Sequence, residues 1–329
     1  TRLVTVPHAE AGHAVCLCGG GGAGAATAAA TAASGGGSDL GKGSVQLVVP
    51  REGGAGTAAA SVAARDLAFS PSSARHVAVA HADGRVRLFD LGSRAFVDPT
   101  TGDVLPSDFT TPEEAAERGA VVSATVASSV TVGDGSEPVD SVRFLPGYAD
   151  ARADGGGAAP DADGANPPYL TPPFLTGRGG NATVTLWSPF SATGSPPVAV
   201  RSFRLGGAAG PLGGPLRMAV GDGGTFAYLA STAAGSLYAL RVSSRQGGGE
   251  GATIATGFDC VLPFDSVHPV YSLMPSTPSG GVGADNAVAN LYCVQSKAIQ
   301  ILTFTSKMLA GPADANAGGG DLAPGVSLL

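Results

Sequence analysis

Two histidines and two cysteines near the start of the chain, His8, His13, Cys16 and Cys18, are of the residue types that bind zinc. Structural zinc sites usually take a pair of cysteines separated by about two to four residues. Here a single residue separates the cysteines and a glycine run comes after them, so the spacing does not fit such a site. We therefore interpret these positions as a strand whose cysteines point inward as small apolar side chains.

The segment GGSDLGKGS at 36–44 is close to a phosphate-binding loop, in which glycine backbone and a lysine hold nucleotide phosphates. Gly36, Gly41 and Lys42 have the required spacing, but Gly43 stands where the motif needs a serine or threonine to bind magnesium. The motif also needs a helix N-terminus directly after the loop. The next residues are VQLVV, which favour a strand, so we interpret the segment as part of a flexible insertion.

His81 and Asp83, in the stretch HADG, are residue types that move protons in catalysis. Such chemistry needs a nucleophile or a second partner within reach, and the sequence indicates none. Asp83 and Gly84 instead have the pattern of a tight hairpin turn. His268 precedes Pro269 where we expect a strand to begin, and it receives the same structural interpretation. We therefore expect no enzymatic activity, no metal site and no cofactor.

Two single residues also invite a functional interpretation. Asn181 begins the sequence Asn-Ala-Thr, which is a glycosylation sequon by spelling and matters only in a secreted protein. We expect Asn181 to lie in a turn between two strands. Trp187 is the only tryptophan, and we expect it to pack between neighbouring sheets rather than to contact a partner.

Charge and composition exclude several classes of protein. The formal net charge is −7 and the isoelectric point is about 5.1, with no basic run anywhere, which argues against non-specific or sequence-specific binding of nucleic acid. The four cysteines do not form a disulfide framework, so a reducing compartment, the cytoplasm, is expected. No apolar run reaches membrane-spanning length and no signal-peptide pattern is present, so we expect no membrane association. The chain begins with Thr1, which suggests a fragment of a longer protein.

The strand-forming part of the sequence consists of four similar blocks. In the first, 65–91, RDLAF, HVAVAH and RVRLFDL are typical of three strands joined by the turns SPSS and ADG. The second begins with VDSVRFLPG at 139 and resumes as FLTGRGGNATVTLWS. The third occupies 215–242, and the fourth comprises PVYSLMP and NLYCVQSKAIQILTF. Repeated blocks of three or four short strands indicate the blades of a β-propeller.

Alternation within one strand predicts how the first block is oriented. In RVRLFDL, Val86 and Leu88 face one side, and Arg85 and Arg87 face the other. The strand ends in Phe-Asp where the WD40 pattern has Trp-Asp, and the Gly-His dipeptide of strong WD40 repeats is missing. These observations predict an all-β chain of degenerate WD40-like propeller blades.

Insertions rich in Gly, Ala and Pro separate the blocks, and we expect them to be mobile because such sequences bury too little apolar surface. The one convincing helical pattern is TPEEAAERGA at 111–120, where Thr111 can cap and Pro112 suits the first position. We assign 1–18 to the edge of an upstream blade, 44–304 to the blades and 305–329 to a C-terminal linker. The expected insertions are 19–43, 98–120, 149–168, 206–214, 243–253 and 275–289.

The order of these blocks resembles the WD40 region of a decapping-scaffold family, enhancer of mRNA decapping protein 4 (Ge-1, or Varicose in plants). LYCVQSKAIQ at 291–300 is similar to the hairpin of that family's last blade almost residue for residue. VDSVRFL, followed by FLTGRGGNATVTLWS, resembles the preceding blade, where an apolar strand leads to a Leu-Thr-Gly turn and a strand ending in Trp. GSLYALRV at 235–242 and HPVYSL at 268–273 resemble the strands between. The resemblance covers roughly residues 62–304, with gaps.

The resemblance implies roughly the last four blades of a propeller, hence an incomplete ring. It implies a non-enzymatic scaffold in cytoplasmic P-bodies that supports 5′ cap removal and mRNA decay. Expected partners are the decapping enzyme, its activators and other P-body proteins, and the full-length protein is expected to form homo-oligomers through regions not contained in this sequence. The turn residues Gln295, Ser296 and Lys297 are candidate partner contacts on the propeller rim. The alternative is a generic WD40 adaptor, such as a ubiquitin-ligase substrate receptor or a trafficking subunit.

Overall fold

The computed structural model describes most of the strand-forming sequence, and the predicted insertions 19–43, 98–120 and 149–168 lie outside the described residues. The predicted helix at 111–120 therefore lies outside them too. Among the residues described, no helix combines the length and apolar character that crossing a bilayer requires. The described residues are 5–7, 14–17, 45–47, 63–73, 75–97, 121–146, 148, 169–206, 214–246, 253–266, 268–277, 287–309 and 326–328.

The first of two compact units comprises Thr1–Leu67 and Ala74–Pro138. Its strands form one sheet in the order β1-β2-β3-β7-β6-β5-β4, and the last two residues of β4 group with the second unit. Strands β5, β6 and β7 are antiparallel neighbours, whereas β3 lies parallel to β7. The strands are β1 (Thr5–Pro7), β2 (Ala14–Leu17), β3 (Val45–Leu47), β4 (Ala64–Phe69), β5 (His76–His81), β6 (Arg85–Val97) and β7 (Val121–Thr131).

The second unit comprises Ala68–Ser73 and Val139–Leu329 and contains three antiparallel sheets. The second sheet holds β8 (Val139–Phe144), β9 (Phe174–Arg178), β10 (Thr183–Trp187) and β11 (Ala199–Leu205), with β19 (Val326–Leu328) beside β11. The third sheet holds β12 (Leu216–Val220), β13 (Phe226–Ser231), β14 (Ser236–Gln246) and β15 (Thr253–Asp265). The fourth sheet holds β16 (Ser272–Ser276), β17 (Ala287–Val294) and β18 (Ile299–Thr305), and α1 (Ser306–Leu309) comes directly after β18.

The three sheets of the second unit stack through two apolar layers, and β13 contributes to both. Successive side chains of a strand point to opposite faces. Ala227 and Leu229 therefore pack toward the second sheet, in one cluster with Leu186. Tyr228 and Ala230 pack toward the fourth sheet in the other cluster. Both faces of the third sheet are thus covered, which explains why β13, FAYLAS, has no polar face.

The predicted fold class is confirmed. The regular secondary structure of the described residues is almost entirely β-strand. Four successive sheets each contain three or four strands that pair in sequence order, the order of propeller blades, and β1, β2, β3 and β19 are added to two of them. No fifth such sheet is found among them, in agreement with the expected incomplete ring. Strands β1 and β2, which we assigned to an upstream blade, extend the first sheet through β3.

Some strands extend further than the sequence pattern predicts. Strand β14 continues to Gln246, inside the expected insertion 243–253, because it pairs with β15 along its whole length through two register shifts. A helical turn, α1, and strand β19 lie within the predicted C-terminal linker.

The predicted Leu-Thr-Gly turn of the second block is wrong. Leu175, Thr176 and Gly177 lie inside β9, and the turn comes later, at Gly179 to Ala182. A Cβ atom on Gly177 would overlap the Oδ1 atom of Asn181. The glycine is therefore needed because a neighbouring side chain approaches closely, not because the backbone turns there.

Candidate partner-binding surface

The candidate contact residues Gln295, Ser296 and Lys297 lie in the tight turn that joins β17 to β18. The N–H of Gln295 donates to the carbonyl oxygen of Ala298 at 2.9 Å, which closes the hairpin. Ser296 and Lys297 are exposed, whereas Gln295 is buried. Only two of the three candidates therefore present their side chains to solvent.

The buried amide of Gln295 holds the turn against the segment that connects β15 to β16. Its Nε2 atom lies 3.2 Å from Oγ of Ser266, 3.3 Å from the carbonyl oxygen of His268 and 2.7 Å from Oε1 of Gln300. Buried polar groups of this kind are costly to leave without hydrogen bonds, so Gln295 has a structural role in positioning the turn. Contact of Ser296 and Lys297 with a partner stays a prediction.

One face of the fourth sheet carries large apolar side chains that no described residue covers. Met274, Val294, Ile299 and Ile301 are 62%, 42%, 67% and 55% exposed. The register places them together, because Met274 and Ile301 both lie opposite Tyr292, and Val294 lies opposite Ile299. We call these four residues and Tyr292 the free face. Scattered exposed apolar residues are ordinary, but a contiguous group marks a candidate interaction site.

The opposite face of the same sheet belongs to the apolar layer against the third sheet. Leu291, Cys293 and Phe304 are fully buried there, and the Phe304 ring lies 4.8 Å from that of Phe264 and 5.7 Å from that of Tyr228. The sequence does not distinguish the two faces, because IQILTFT places apolar residues on both. The alternation of exposure along β18 is what identifies the free face.

Two titratable side chains, Cys293 and Tyr228, lie in the apolar layer between this sheet and the third sheet. Burial raises the pKa of the Cys293 thiol to about 11 and that of the Tyr228 hydroxyl to about 12. A thiol that stays protonated at neutral pH is a poor nucleophile. Within the described part of the chain, no group of three or more His, Cys, Asp or Glu side chains has the arrangement of a metal site.

The turn interpretation of Asp83 and Gly84 is confirmed. Gly84 has a φ of 74°, and the Asp83 carboxylate accepts hydrogen bonds from Nη2 of Arg87 at 2.7 Å and from the N–H of Arg85 at 3.2 Å. Arg87 is buried, so the face opposite Val86 is not a free polar face. The Asp83 carboxylate therefore holds the hairpin, and the absence of a catalytic role for Asp83 and His81 stays a prediction.

A second set of charged residues was not identified from the sequence. The Asp90 carboxylate accepts hydrogen bonds from Nη2 of Arg75 at 2.6 Å and from the N–H of Gly92 at 2.9 Å. The hydrogen bonds from Arg75 lower the pKa of Asp90, whereas burial lowers the pKa of His76, which lies opposite Asp90. Arg75 bonds both carboxylate oxygens. We interpret Arg75 and Asp90 as an ion pair that joins the start of β5 to β6. The sequence alone did not indicate this ion pair, because it depends on how β5 and β6 pair.

Asn181 and Trp187 both have structural positions. Asn181 has a φ of 64°, and its Nδ2 atom donates to the carbonyl oxygen of Leu216 at 2.7 Å, so the predicted turn is confirmed. Trp187 is buried, and the contacts described for it lie within its own sheet, so its expected packing between neighbouring sheets stays a prediction. Its Nε1 atom donates to Oγ1 of Thr176 at 2.9 Å, and its ring stacks on Phe174 with centroids 6.1 Å apart.

The near-match to a phosphate-binding loop at 36–44 lies outside the described residues, as do His8, His13 and Cys18. Cys16 lies in β2, but its side chain is not described. The interpretation of these segments as a flexible insertion and a strand, without zinc or nucleotide, therefore stays a prediction.

Comparisons with known proteins give no close relative. No protein-family model matches the chain, and no curated protein matches it. Among solved structures, the chain is similar to the β-propeller domain of Cps50 (Swd1) from Myceliophteria thermophila, at 9% identity and a TM-score of 0.38, over 74% of this chain and 55% of that chain. It is also similar to Raptor from Chaetomium thermophilum, at 10% identity and a TM-score of 0.37, over 74% of this chain and 15% of that chain. The assignment of blades rests on the strand order and not on these two similarities.

Proposed function

We propose that the chain is a non-enzymatic interaction module of an mRNA-decapping scaffold that acts in cytoplasmic P-bodies. The observation that carries this proposal is the stretch LYCVQSKAIQ at 291–300, which resembles the last hairpin of the decapping-scaffold family. The stretch spans the end of β17, a tight turn and the start of β18. The proposed partners are the decapping enzyme and its activators, and the full-length protein acts as a homo-oligomer.

The surface chemistry supports binding of protein rather than catalysis. The free face is apolar and exposed, and protein interfaces have apolar centres of this kind. The carboxylates of Asp83 and Asp90 are occupied by arginines, and the Cys293 thiol is held protonated. These groups are placed for stability of the blades and not for chemistry on a substrate.

Affinity purification of the tagged full-length protein from its native cells tests the proposal. We expect the decapping enzyme and its activators in the eluate after nuclease digestion, since nuclease removes partners bridged only by mRNA. A tagged, unrelated propeller protein from the same cells is the matched control. Recovery of a ubiquitin-ligase core or of coat subunits, without decapping factors, would favour the generic adaptor and refute the decapping role.

Microscopy of the same tagged protein tests the proposed location. We expect it to concentrate in the granules that contain the decapping enzyme. A uniform distribution through the cytoplasm, under conditions in which those granules form, contradicts a P-body role.

A further inference from the structure

Among the residues that the structure describes, the fourth sheet has no counterpart of the fourth strand found in each of the other three. In those sheets the third strand, β6, β10 or β14, is paired on its outer side by an antiparallel fourth strand, β7, β11 or β15. In the fourth sheet β18 occupies the third position, and among the described residues it pairs only with β17. An unpaired edge of this kind offers a row of backbone donors and acceptors to another strand.

The hydrogen bonds around the hairpin show which residues of β18 point toward the open edge. Bonded and non-bonded pairs alternate along antiparallel strands. Gln295 and Ala298 are a bonded pair, so the next pair, Val294 and Ile299, is non-bonded. The carbonyl oxygen of Val294 accepts from the N–H of Tyr271 instead, on the β16 side. The N–H and C=O of Ile299 must therefore point away from β17.

The same alternation extends along β18 to Ile301 and Thr303. These three residues direct their backbone groups to the open edge, and their side chains lie on the same side of the sheet as the free face. An added antiparallel strand can thus form up to about six backbone hydrogen bonds with them. Its alternate side chains would extend the apolar surface of Ile299 and Ile301.

Charge at the two ends of β18 selects the kind of strand that fits. Exposed lysines flank it, Lys297 in the turn before it and Lys307 in α1 after it. The described segment 287–309 contains no Asp or Glu, although the whole chain has a net charge of −7. A second copy of β18 added antiparallel would place Lys297 of one copy beside Lys307 of the other at both ends, and like charges repel.

We propose that β18 is a docking edge for an extended segment of another protein, which adds as the fourth antiparallel strand of this sheet. The segment has β-branched or apolar residues at alternate positions and acidic residues at both ends. Backbone bonds supply the affinity, and the free face and the two lysines supply the specificity, as in other cases of strand addition. The proposal does not depend on the decapping assignment.

A peptide titration of the full chain tests the docking edge. The probe is the fluorescein-labelled peptide EVTVTVTE, and binding is followed by fluorescence anisotropy. Its matched controls are KVTVTVTK, with reversed end charges, and EVTPTPTE, whose prolines remove backbone donors. We expect the acidic peptide to bind roughly tenfold more tightly than the lysine peptide at low salt. We expect the proline peptide not to bind.

Two variants separate docking from a general loss of structure. In the double variant Lys297→Glu and Lys307→Glu, both sites are exposed, and we expect the preference to reverse toward KVTVTVTK. Ile301→Pro removes a donor at the open edge while the β17 pairing is kept, and we expect it to abolish binding of EVTVTVTE. Unchanged thermal unfolding of the double variant is the folding control.

Three outcomes would overturn the proposal: no binding of EVTVTVTE, an unchanged preference in the double variant, or self-association of the purified chain that Ile301→Pro abolishes. The last result, measured by light scattering after gel filtration, would identify a second copy as the occupant of the edge. The titration contains no decapping factor, so this proposal and the decapping role fail independently of each other.

Discussion

At the scale of single residues, Asn181 joins two sheets through one hydrogen bond and one unusual backbone angle. Its φ of 64° is in the left-handed region, which Asn tolerates better than most residues, and its amide bonds the carbonyl of Leu216. We expect Asn181→Ala to lower the free energy of unfolding by about 1–3 kcal/mol. Asn181→Gly keeps the backbone angle and loses only the hydrogen bond, so we expect it to cost less. Urea denaturation of both variants measures the difference, and equal costs would contradict the backbone contribution.

Gly177 depends on the same asparagine. A Cβ atom at position 177 would overlap the Asn181 side chain, so we expect Gly177→Ala to destabilise the protein by about 1–3 kcal/mol. In the double variant with Asn181→Gly the obstructing side chain is gone. The two changes should therefore cost less together than the sum of the single variants in a double-mutant cycle. Strict additivity would show that the two positions do not interact.

The buried hydroxyl of Tyr228 predicts a loss of stability at high pH. Burial raises its pKa to about 12 in the folded protein, whereas an exposed tyrosine titrates near about 10. Between these values the unfolded chain binds fewer protons than the folded one, so stability falls as the pH rises. We expect Tyr228→Phe to make this fall shallower. Urea denaturation of both proteins between about pH 10 and 12 compares the two slopes, and equal slopes would contradict the expectation.

At the scale of elements, β18 has two faces with opposite environments, and two substitutions on the strand distinguish them. Phe304 is 1% exposed and packs between Tyr228 and Phe264, so we expect Phe304→Ala to cost about 3–5 kcal/mol in the free energy of unfolding. Ile301 is more than half exposed, so Ile301→Ala should cost about 0.5 kcal/mol or less. Thermal and urea denaturation compare the two. A large cost for Ile301→Ala would mean that its face is covered in solution.

Turns and strands that are determined by adjacent residues could be predicted from the sequence. The turn at Asp83 and Gly84 is encoded in the dipeptide itself, and the strands HVAVAH and RVRLFDL match β5 and the start of β6. The hairpin at 291–300 was also placed correctly, because a polar turn separates two apolar strands.

Features that depend on distant contacts could not be predicted in the same way. The burial of Gln295 depends on Ser266 and His268, which precede it by 29 and 27 residues. The role of Gly177 depends on the side chain of Asn181 across a turn. The free face depends on which side of the fourth sheet packs against the third sheet. The sequence does not predict that side, because β18 has apolar residues on both of its faces.

For the molecule as a whole, the acidic net charge predicts weak affinity for nucleic acid. A net charge of −7 with no basic run gives little attraction to phosphates, even though the proposed function concerns mRNA. We expect no binding of a fluorescent 20-nucleotide single-stranded RNA by the purified chain at about 100 mM salt, measured by anisotropy. A histone-like basic protein is the positive control. Salt-sensitive binding in the micromolar range would contradict the expectation.

In the part of the chain that the structure describes, each of the first three sheets has a fourth strand and the fourth sheet ends at β18, so its free face and open edge adjoin on one element. Strand addition at the edge would place new side chains next to Ile299 and Ile301. A partner could therefore contact the backbone of one strand and the apolar surface of the whole fourth sheet at once. This arrangement supports an interaction module more strongly than either feature alone.

The position of Asn181 also decides how the protein can be produced. The Nδ2 atom that a glycosyltransferase would modify is the atom that donates to Leu216 in the buried turn. A chain directed through the secretory pathway of a eukaryotic host would offer this sequon before folding, and an attached sugar would prevent the turn from forming. We expect secreted material to be glycosylated at Asn181 and misfolded, and cytosolic expression to give folded protein, which intact-mass spectrometry and circular dichroism can compare.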